Sequence, residues 1–135
     1  MTSGRPDKSI GELLLEAAAQ DLAAGRVLAP VTSIGDAVVG FHLQQAVEKA
    51  IKAVLSTHGV ELRRTHDLVL LLELLSDNGL PAPPGADWLD GLNPYAVEAR
   101  YGTVGPEGLD RLGALQATAL VLDWAAMLLA PGTKT

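Results

Sequence analysis

Apolar residues recur along this chain with the three- and four-residue spacing of α-helices, and no segment alternates apolar and polar residues over strand length. This pattern predicts four main helices, at about 9–28, 36–58, 68–75 and 106–130, with one or two short helical turns within 86–102. Short connections between consecutive helices favour antiparallel neighbours. The predicted fold class is therefore all-α, a four- to five-helix up-and-down antiparallel bundle.

Capping residues support the predicted starts of the first and third helices. Ser9, followed three residues later by Glu12, forms a capping box in which each side chain bonds the other residue's backbone amide. Thr65 is expected to be the N-cap of the third helix. Because nearly every position of 68–75 is apolar, we expect this short helix to be central and buried.

The last predicted helix, which begins near Pro106, is apolar enough to be considered as a membrane span. Gln116 and Asp123 lie inside it, and a charged side chain within a bilayer is costly. We therefore interpret it as a buried or dimer-facing helix, in a protein that does not bind a membrane.

Length and composition narrow the class of protein. The 135 residues fit one domain, 1–135, with flexible ends at about 1–8 and 131–135. The absence of cysteine excludes disulfides and thiolate metal sites, and together with the lack of a signal-peptide pattern it favours a cytoplasmic location. The net charge of −6 argues against a broad nucleic-acid-binding surface, although it allows a small basic site.

A polar stripe runs along the second predicted helix. At 100° per residue the apolar side chains collect on one broad arc, and the opposite arc carries His42, Gln45, Lys49 and Lys52. We call these four residues, which follow spacings of three, four and three, the polar stripe. It fits either an ordinary solvated helix face or a surface that meets a ligand, another part of the chain or a second subunit.

Two neighbours of the polar stripe argue against a simple solvated face. Phe41, the only Phe in the chain, lies on the polar arc, where it should pack on another element or chain. Gln44 borders the apolar arc, where a buried amide needs hydrogen-bond partners. Glu48 and Lys52, in contrast, form the kind of i,i+4 pair that contributes little on an exposed helix.

Basic residues elsewhere provide two further candidate sites. Arg64 and His66 precede the third helix, whose N-terminal amides could complete an anion site with them. The alternative is structural, with Asp67 bonding those amides.

Arg100, together with Tyr95 and Tyr101, could stack on a base or bind a phosphate. The favoured alternative is a structural pair between Arg100 and a carboxylate, either Asp21 or Glu48.

Metal chemistry is not expected. The adjacent residues His66 and Asp67 resemble a pair found in metal phosphohydrolases, but such sites need further ligands and only His42 and His58 remain. We therefore predict no metal site and no cofactor.

The combined motifs resemble the HEPN domain (higher eukaryotes and prokaryotes nucleotide-binding). The typical order of the family is Phe-His-x-Gln-Gln-x-x-Glu-Lys-x-x-Lys-x-x-Leu, then Gly, then Thr-His-Asp-Leu. It is matched by Phe41, His42, Gln44, Gln45, Glu48, Lys49, Lys52, Leu55, Gly59, Thr65, His66, Asp67 and Leu68. A later segment resembles the family's Tyr…Ala-Arg-Tyr-Pro run, with Gly102 in place of Pro, and Asp21 stands at a typical acidic position of the first helix.

This resemblance implies a helical bundle that commonly dimerises and is often encoded beside a minimal nucleotidyltransferase as a toxin–antitoxin pair. It also implies a nucleotide as candidate ligand. The candidate nucleotide- or anion-binding residues are His42, Gln45, Lys49, Lys52, Arg64, His66, Arg100 and Tyr101.

Some branches of the family are metal-independent ribonucleases that use an Arg followed, after four to six residues, by a His. No arginine of this chain has a His at that distance, so catalytic residues are unassigned and an enzyme is not the favoured interpretation.

Three hypotheses follow. The favoured one is a dimeric HEPN module that pairs with a nucleotidyltransferase and binds a nucleotide. The second is a ribonuclease toxin with a degenerate motif, which uses His42 or His66 with Arg100. The third is a structural dimerisation unit whose polar stripe is the subunit seam.

Overall fold

The computed structural model describes residues 8–62, 64–96 and 108–130. These residues form α1 (Ile10–Leu28), α2 (Asp36–Thr57), α3 (Leu68–Asp77), α4 (Ala86–Leu89) and α5 (Arg111–Leu129), and a 3-10 turn, Asp90–Leu92, follows α4. No strand occurs in these three ranges. The predicted all-α bundle is therefore confirmed.

The first helix runs opposite to the other two long helices. The short connection 29–35 returns the chain along α1, so α1 and α2 are antiparallel. Gly11, at the start of α1, lies against Leu129 at the end of α5, and Gly25, near the end of α1, lies against Leu115 near the start of α5. Hence α1 is antiparallel to both α2 and α5.

The most buried helix is α2, so the expectation that α3 would be central is wrong. More than half of the residues of α2 are buried, because α1, α3 and α5 all pack against it. In α3, Leu68, Leu71 and Leu75 are buried on one side, but Val69 is 38% exposed. An apolar composition does not specify how many other helices surround a helix. One face of α3 packs against the protein, and the other face is exposed to solvent.

The N-terminal caps show one correct and one wrong prediction. The capping box of α1 is present, with the Glu12 amide donating to Ser9 Oγ at 3.1 Å and the Ser9 amide donating to Glu12 Oε1 at 2.8 Å. At α3 the N-cap is Asp67, whose Oδ1 accepts from the Val69 amide at 3.0 Å. Thr65 instead accepts from the Asp67 amide and so shapes the turn before the cap.

The last helix begins later than predicted. Residues 108–110 are not helical, and Asp110 caps α5 by accepting from the Gly113 amide at 3.1 Å. Pro106, the predicted start, lies outside the described residues. By length and composition alone, α5 is the one helix of the described ranges that could cross a membrane, and 28% of its most apolar window is buried.

The end of the second described range, at residues 95 and 96, packs closely against α2. Helical backbone resumes at Tyr95 and Ala96, and the Tyr95 ring lies against α2 at Gly40. A Cβ atom on Gly40 would lie 2.6 Å from Tyr95 Cγ, which is closer than real carbon atoms approach. Gly40 is therefore the residue that allows this segment to pack on α2.

Candidate functional site

The first polar cluster is centred on Asp21 of α1. Its Oδ2 accepts from Lys49 Nζ at 2.6 Å, and its Oδ1 lies 3.1 Å from His42 Nδ1. The side chain of Asp21 is 15% exposed and that of Lys49 is 29% exposed. We call Asp21, His42 and Lys49 the Asp21 cluster. It joins α1 to α2 through a carboxylate that breaks the otherwise apolar face of α1.

The second cluster is centred on Glu48, which the helical arcs place on the polar side of α2 but which is almost fully buried, with a side chain 5% exposed. Its Oε2 accepts from Lys52 Nζ at 2.9 Å. Its Oε1 lies 3.0 Å from His66 Nδ1 and accepts, at 3.3 and 3.2 Å, from the amides of Gln44 and Gln45. We call these five residues the Glu48 cluster.

Gln44 has the partners that its position requires. Its side chain is fully buried, and Nε2 donates to the backbone carbonyl of His66 at 2.8 Å, while Oε1 accepts from Gln45 at 2.8 Å. This amide fastens the segment that precedes α3 onto α2. It therefore fixes the position at which the His66 ring reaches the carboxylate of Glu48.

The two clusters lie side by side on α2. At 100° per residue, His42 and Lys49 face the α1 flank, Glu48 faces the segment before α3, and Gln45 and Lys52 lie between them. Four of the eight candidate residues thus form one continuous surface on α2, and His66 joins it from a different segment. The polar stripe is not an ordinary solvent-exposed helix face. Its two lysines are bonded to the carboxylates of Asp21 and Glu48, whose side chains are largely buried.

The histidine rings have defined orientations. Each presents Nδ1 to a carboxylate, at 3.1 Å for His42 and 3.0 Å for His66. In a neutral ring bonded in this way, Nδ1 carries the hydrogen and Nε2 is an acceptor. The Phe41 ring packs edge to face on His42, with centroids 5.7 Å apart. Because His42 is its neighbour within α2, this contact does not test the expectation that Phe41 packs on another element or chain. The site therefore presents two oriented imidazoles.

The start of α3 is held by side chains of the protein. Asn93 Oδ1 accepts from the Leu68 amide at 2.8 Å, and Asn93 Nδ2 donates to Asp67 Oδ1 at 2.9 Å. This bond from Asn93, followed by bonds from the first-turn amides, lowers the pKa of Asp67. The first amides of α3 are consequently occupied in part by protein oxygens. Arg64, just upstream, has an exposed side chain and makes no hydrogen bond to either cluster within the described ranges.

Two candidate residues, Arg100 and Tyr101, lie outside the described residues, so their predicted role stays a prediction. Tyr95, which was grouped with them, is buried at 6% exposure against α2 and is not a surface platform for a base. Asp21 and Glu48, the two carboxylates considered as partners of Arg100, are bonded to the lysines and histidines of the two clusters.

Sequence reasoning did not place Asp21, Gln44 and Glu48 in the candidate site. Signals for the first two were present, because Asp21 interrupts the apolar stripe of α1 and Gln44 borders the apolar arc of α2. The helical periodicity gave no such signal for Glu48, since its i,i+4 spacing to Lys52 is typical of an exposed helix pair. The signal that could have found it was its place in the run that resembles the HEPN motif.

The arrangement offers hydrogen-bond donors to a polar ligand. Across the described ranges, no three His, Asp or Glu side chains lie close enough together to hold a metal ion. Each lysine ammonium carries three N–H donors, and one bond to a carboxylate uses only one of them. Lys49 and Lys52 are thus held in place by carboxylates, and each keeps N–H groups that can donate hydrogen bonds to phosphate oxygens.

Comparison with known proteins identifies the family. The family model described as HEPN domain matches residues 12–128, which includes α2 and nearly all of α1 and α5. The chain belongs to the HEPN domain family. Every residue of the Asp21 and Glu48 clusters lies inside the matched range of this HEPN protein.

A solved structure agrees in fold. The crystal structure of TT1696 from Thermus thermophilus is similar to this HEPN domain with a TM-score of 0.66 and 24% sequence identity, covering 90% of this chain and 97% of that chain. At this identity the likeness shows the helical fold alone. No curated protein matches the chain.

Proposed function

We propose that this HEPN domain is a recognition module that binds the phosphate groups of a nucleotide at the polar stripe. The observation that carries the proposal is the pair of carboxylate-centred clusters, which orient two lysines and two histidines on one surface. Preoriented donors lose little conformational entropy when a ligand binds. Because Asp21 and Glu48 offset the lysine charges, a small anion fits this surface better than a long polyanion.

Titration calorimetry with ATP and GTP, and with adenosine for comparison, tests the proposal. We expect heat from the nucleotides and none from adenosine, because the recognised group is phosphate. Lys49→Gln and Lys52→Gln should each weaken binding about 10-fold or more, since a charge-assisted hydrogen bond contributes about 1.5–3 kcal/mol.

The matched control is Lys8→Gln, which removes a lysine that pairs with Glu16 at the exposed start of α1. Its affinity should equal that of the wild type. Absence of heat with both nucleotides would contradict nucleotide binding.

We further propose that the module works as a homodimer and pairs with a small nucleotidyltransferase in a toxin–antitoxin-type system. Membership of the family and the motifs at 41–68 support this role. Co-expression of a tagged chain with a small nucleotidyltransferase encoded beside its gene should yield both proteins in one purified complex. Recovery of the tagged chain alone would contradict the pairing.

Ribonuclease activity is a second candidate function, and the histidine orientations favour it. His42 and His66 each present Nδ1 to a carboxylate. The tautomer with its hydrogen on Nδ1 leaves Nε2 as the acceptor for proton transfer, which is the arrangement of a general base. If RNA is a substrate, cleavage should proceed with a chelator present, and His42→Ala or His66→Ala should slow it at least about 100-fold. Intact RNA after prolonged incubation, together with normal growth of cells that express the chain alone, would exclude this activity.

A further inference from the structure

Phe41 lies among hydrogen-bonding groups rather than in the hydrophobic core. At 100° per residue it is within about 40° of both Gln45 and Lys52 on the polar arc of α2. Its side chain is partly exposed, and it is not among the described apolar side chains that pack against the core. Within the described ranges its ring contact is with His42. An aromatic ring in such surroundings offers a stacking surface to a planar ligand.

The side-chain amide of Gln45, one turn beyond Phe41, has a defined orientation. Its Nε2 donates to Gln44 Oε1 at 2.8 Å and to Glu48 Oε1 at 3.2 Å. A side-chain amide has two N–H donors, so these two bonds use both of them. Because Nε2 faces these two acceptors, Oε1 faces away from them, and no donor of the described residues is bonded to it. Gln45 can therefore accept a hydrogen bond from a ligand but has no donor left for one.

The lysines of the polar stripe follow Phe41 at a distance that suits a nucleotide. Gln45, Lys49 and Lys52 lie four, eight and eleven positions after Phe41, which is roughly 6, 12 and 17 Å along the helix axis. An extended nucleoside triphosphate spans a comparable length from its base to its last phosphate. A base that stacks on Phe41 thus leaves the phosphates within reach of both ammonium groups, with Gln45 beside the base.

We propose that Phe41 and Gln45 form the base subsite of the nucleotide-binding surface and select a base that carries an exocyclic amino group, such as adenine. One face of the base stacks on the Phe41 ring, and the amino group donates to Gln45 Oε1. This inference rests on the phosphate-binding function proposed above and adds the base that accompanies the phosphates. A base edge that presents only acceptors leaves Gln45 Oε1 without a donor and binds more weakly.

Calorimetry with ATP and with purine riboside triphosphate, which lacks only the 6-amino group, tests the hydrogen bond to Gln45. The wild type should bind ATP about 5-fold more tightly, the usual effect of one neutral hydrogen bond. Gln45→Met keeps the length of the side chain but has no carbonyl oxygen, so it should bind the two nucleotides equally. Equal affinities in the wild type, or a ratio that is unchanged in Gln45→Met, would overturn the selection of an amino group.

Phe41→Leu tests the stacking surface, because leucine keeps an apolar side chain but has no ring. Its affinity for ATP should fall about 10-fold or more, while its affinity for inorganic tripolyphosphate, which has no base, should stay unchanged. Phe41→Trp restores an aromatic face and should bind ATP at least as tightly as the wild type. The matched control is Trp88→Leu, which removes an aromatic side chain, 41% exposed, from α4 and should leave the affinity for ATP unchanged.

The possible results separate the base subsite from the function on which it rests. If Phe41→Leu weakens ATP and tripolyphosphate equally, or weakens neither, the stacking role of Phe41 is overturned and phosphate recognition stands. If the wild type binds neither ligand, the phosphate-binding function fails and the base subsite fails with it. Circular dichroism should show that each variant is helical. If Phe41→Leu does not fold, the ratio of affinities measured with Gln45→Met still decides whether the base is recognised.

Discussion

Replacement of Glu48 by alanine is expected to lower the free energy of unfolding by about 3–5 kcal/mol, the usual cost of removing one partner of a buried ion pair. The carboxylate is 5% exposed, and Lys52, its ion-pair partner, is 14% exposed. Without Glu48 the ammonium of Lys52, which ends a largely buried side chain, would lose its carboxylate partner. Gln44, which is fully buried, would lose one of its bonds but keep the carbonyl of His66. His66 adds little to the loss, because its side chain is 54% exposed and water can replace the bond.

Urea unfolding followed by circular dichroism measures this loss, with Glu73→Ala as the matched control. Glu73 lies on α3 with an exposed side chain, so its replacement should change the free energy of unfolding by no more than about 0.5 kcal/mol. A loss below about 1 kcal/mol for Glu48→Ala would show that the Glu48 cluster does not hold α2 and the segment before α3 together.

A double variant separates the charge pair from the rest of the cluster. Glu48→Leu combined with Lys52→Met removes both charges and replaces them with apolar side chains of similar size. Such replacement of a buried pair is often neutral or stabilising, so the double variant should recover most of the stability that Glu48→Ala loses. Its nucleotide affinity should nevertheless fall, because the ammonium of Lys52 is part of the proposed phosphate site.

Features encoded within a few residues were predictable from the sequence. The capping box of Ser9 and Glu12 and the bounds of α1 and α2 depend on residues three or four positions apart, and the structure agrees with these predictions. The start of α5 was wrong because two local signals compete. Proline favours the first position of a helix, and this signal predicted a start near Pro106. The carboxylate of Asp110 instead caps a helix that begins at Arg111, and Arg111 bonds Asp36 at the start of α2.

Features that depend on distant segments were predictable only in part. The sequence placed His42, Gln45, Lys49 and Lys52 on one surface because they share a helix. Burial of Glu48 depends on the segment before α3, which crosses α2 and brings His66 to it from 18 positions away. The pairing of Asp21 with Lys49 spans 28 positions across two helices. Periodicity within one helix carries no information on which segment covers its polar side.

Replacement of Arg111 by alanine is expected to cost about 2–4 kcal/mol, because this side chain connects the start of α5 to the segment between α1 and α2. Its Nε donates to Asp36 Oδ1 at 2.8 Å, and its terminal nitrogens donate to the carbonyls of Ala29 at 2.8 Å and Ile34 at 2.5 Å. Arg111→Lys keeps the charge but lacks the planar set of donors, so its stability should lie between those of the alanine variant and the wild type. Equal stability of Arg111→Lys and the wild type in urea unfolding would contradict this account.

The same contact makes stability depend on pH through Asp36. The Leu109 amide, which donates to Oδ2 at 2.9 Å, and then the bond from Arg111 lower the pKa of this carboxyl group in the folded state. The unfolded chain has an aspartate pKa of about 3.9, so ionised Asp36 favours folding above about pH 4, and this contribution is lost as the pH falls through the lower pKa of the folded state. The stability difference between wild type and Asp36→Asn should therefore be largest near neutral pH and shrink below about pH 4. Asp87→Asn, at an exposed position on α4, controls for the loss of one negative charge. A difference between wild type and Asp36→Asn that stays constant down to the acid limit of folding would show that the Asp36 carboxylate does not stabilise the start of α5 by its charge.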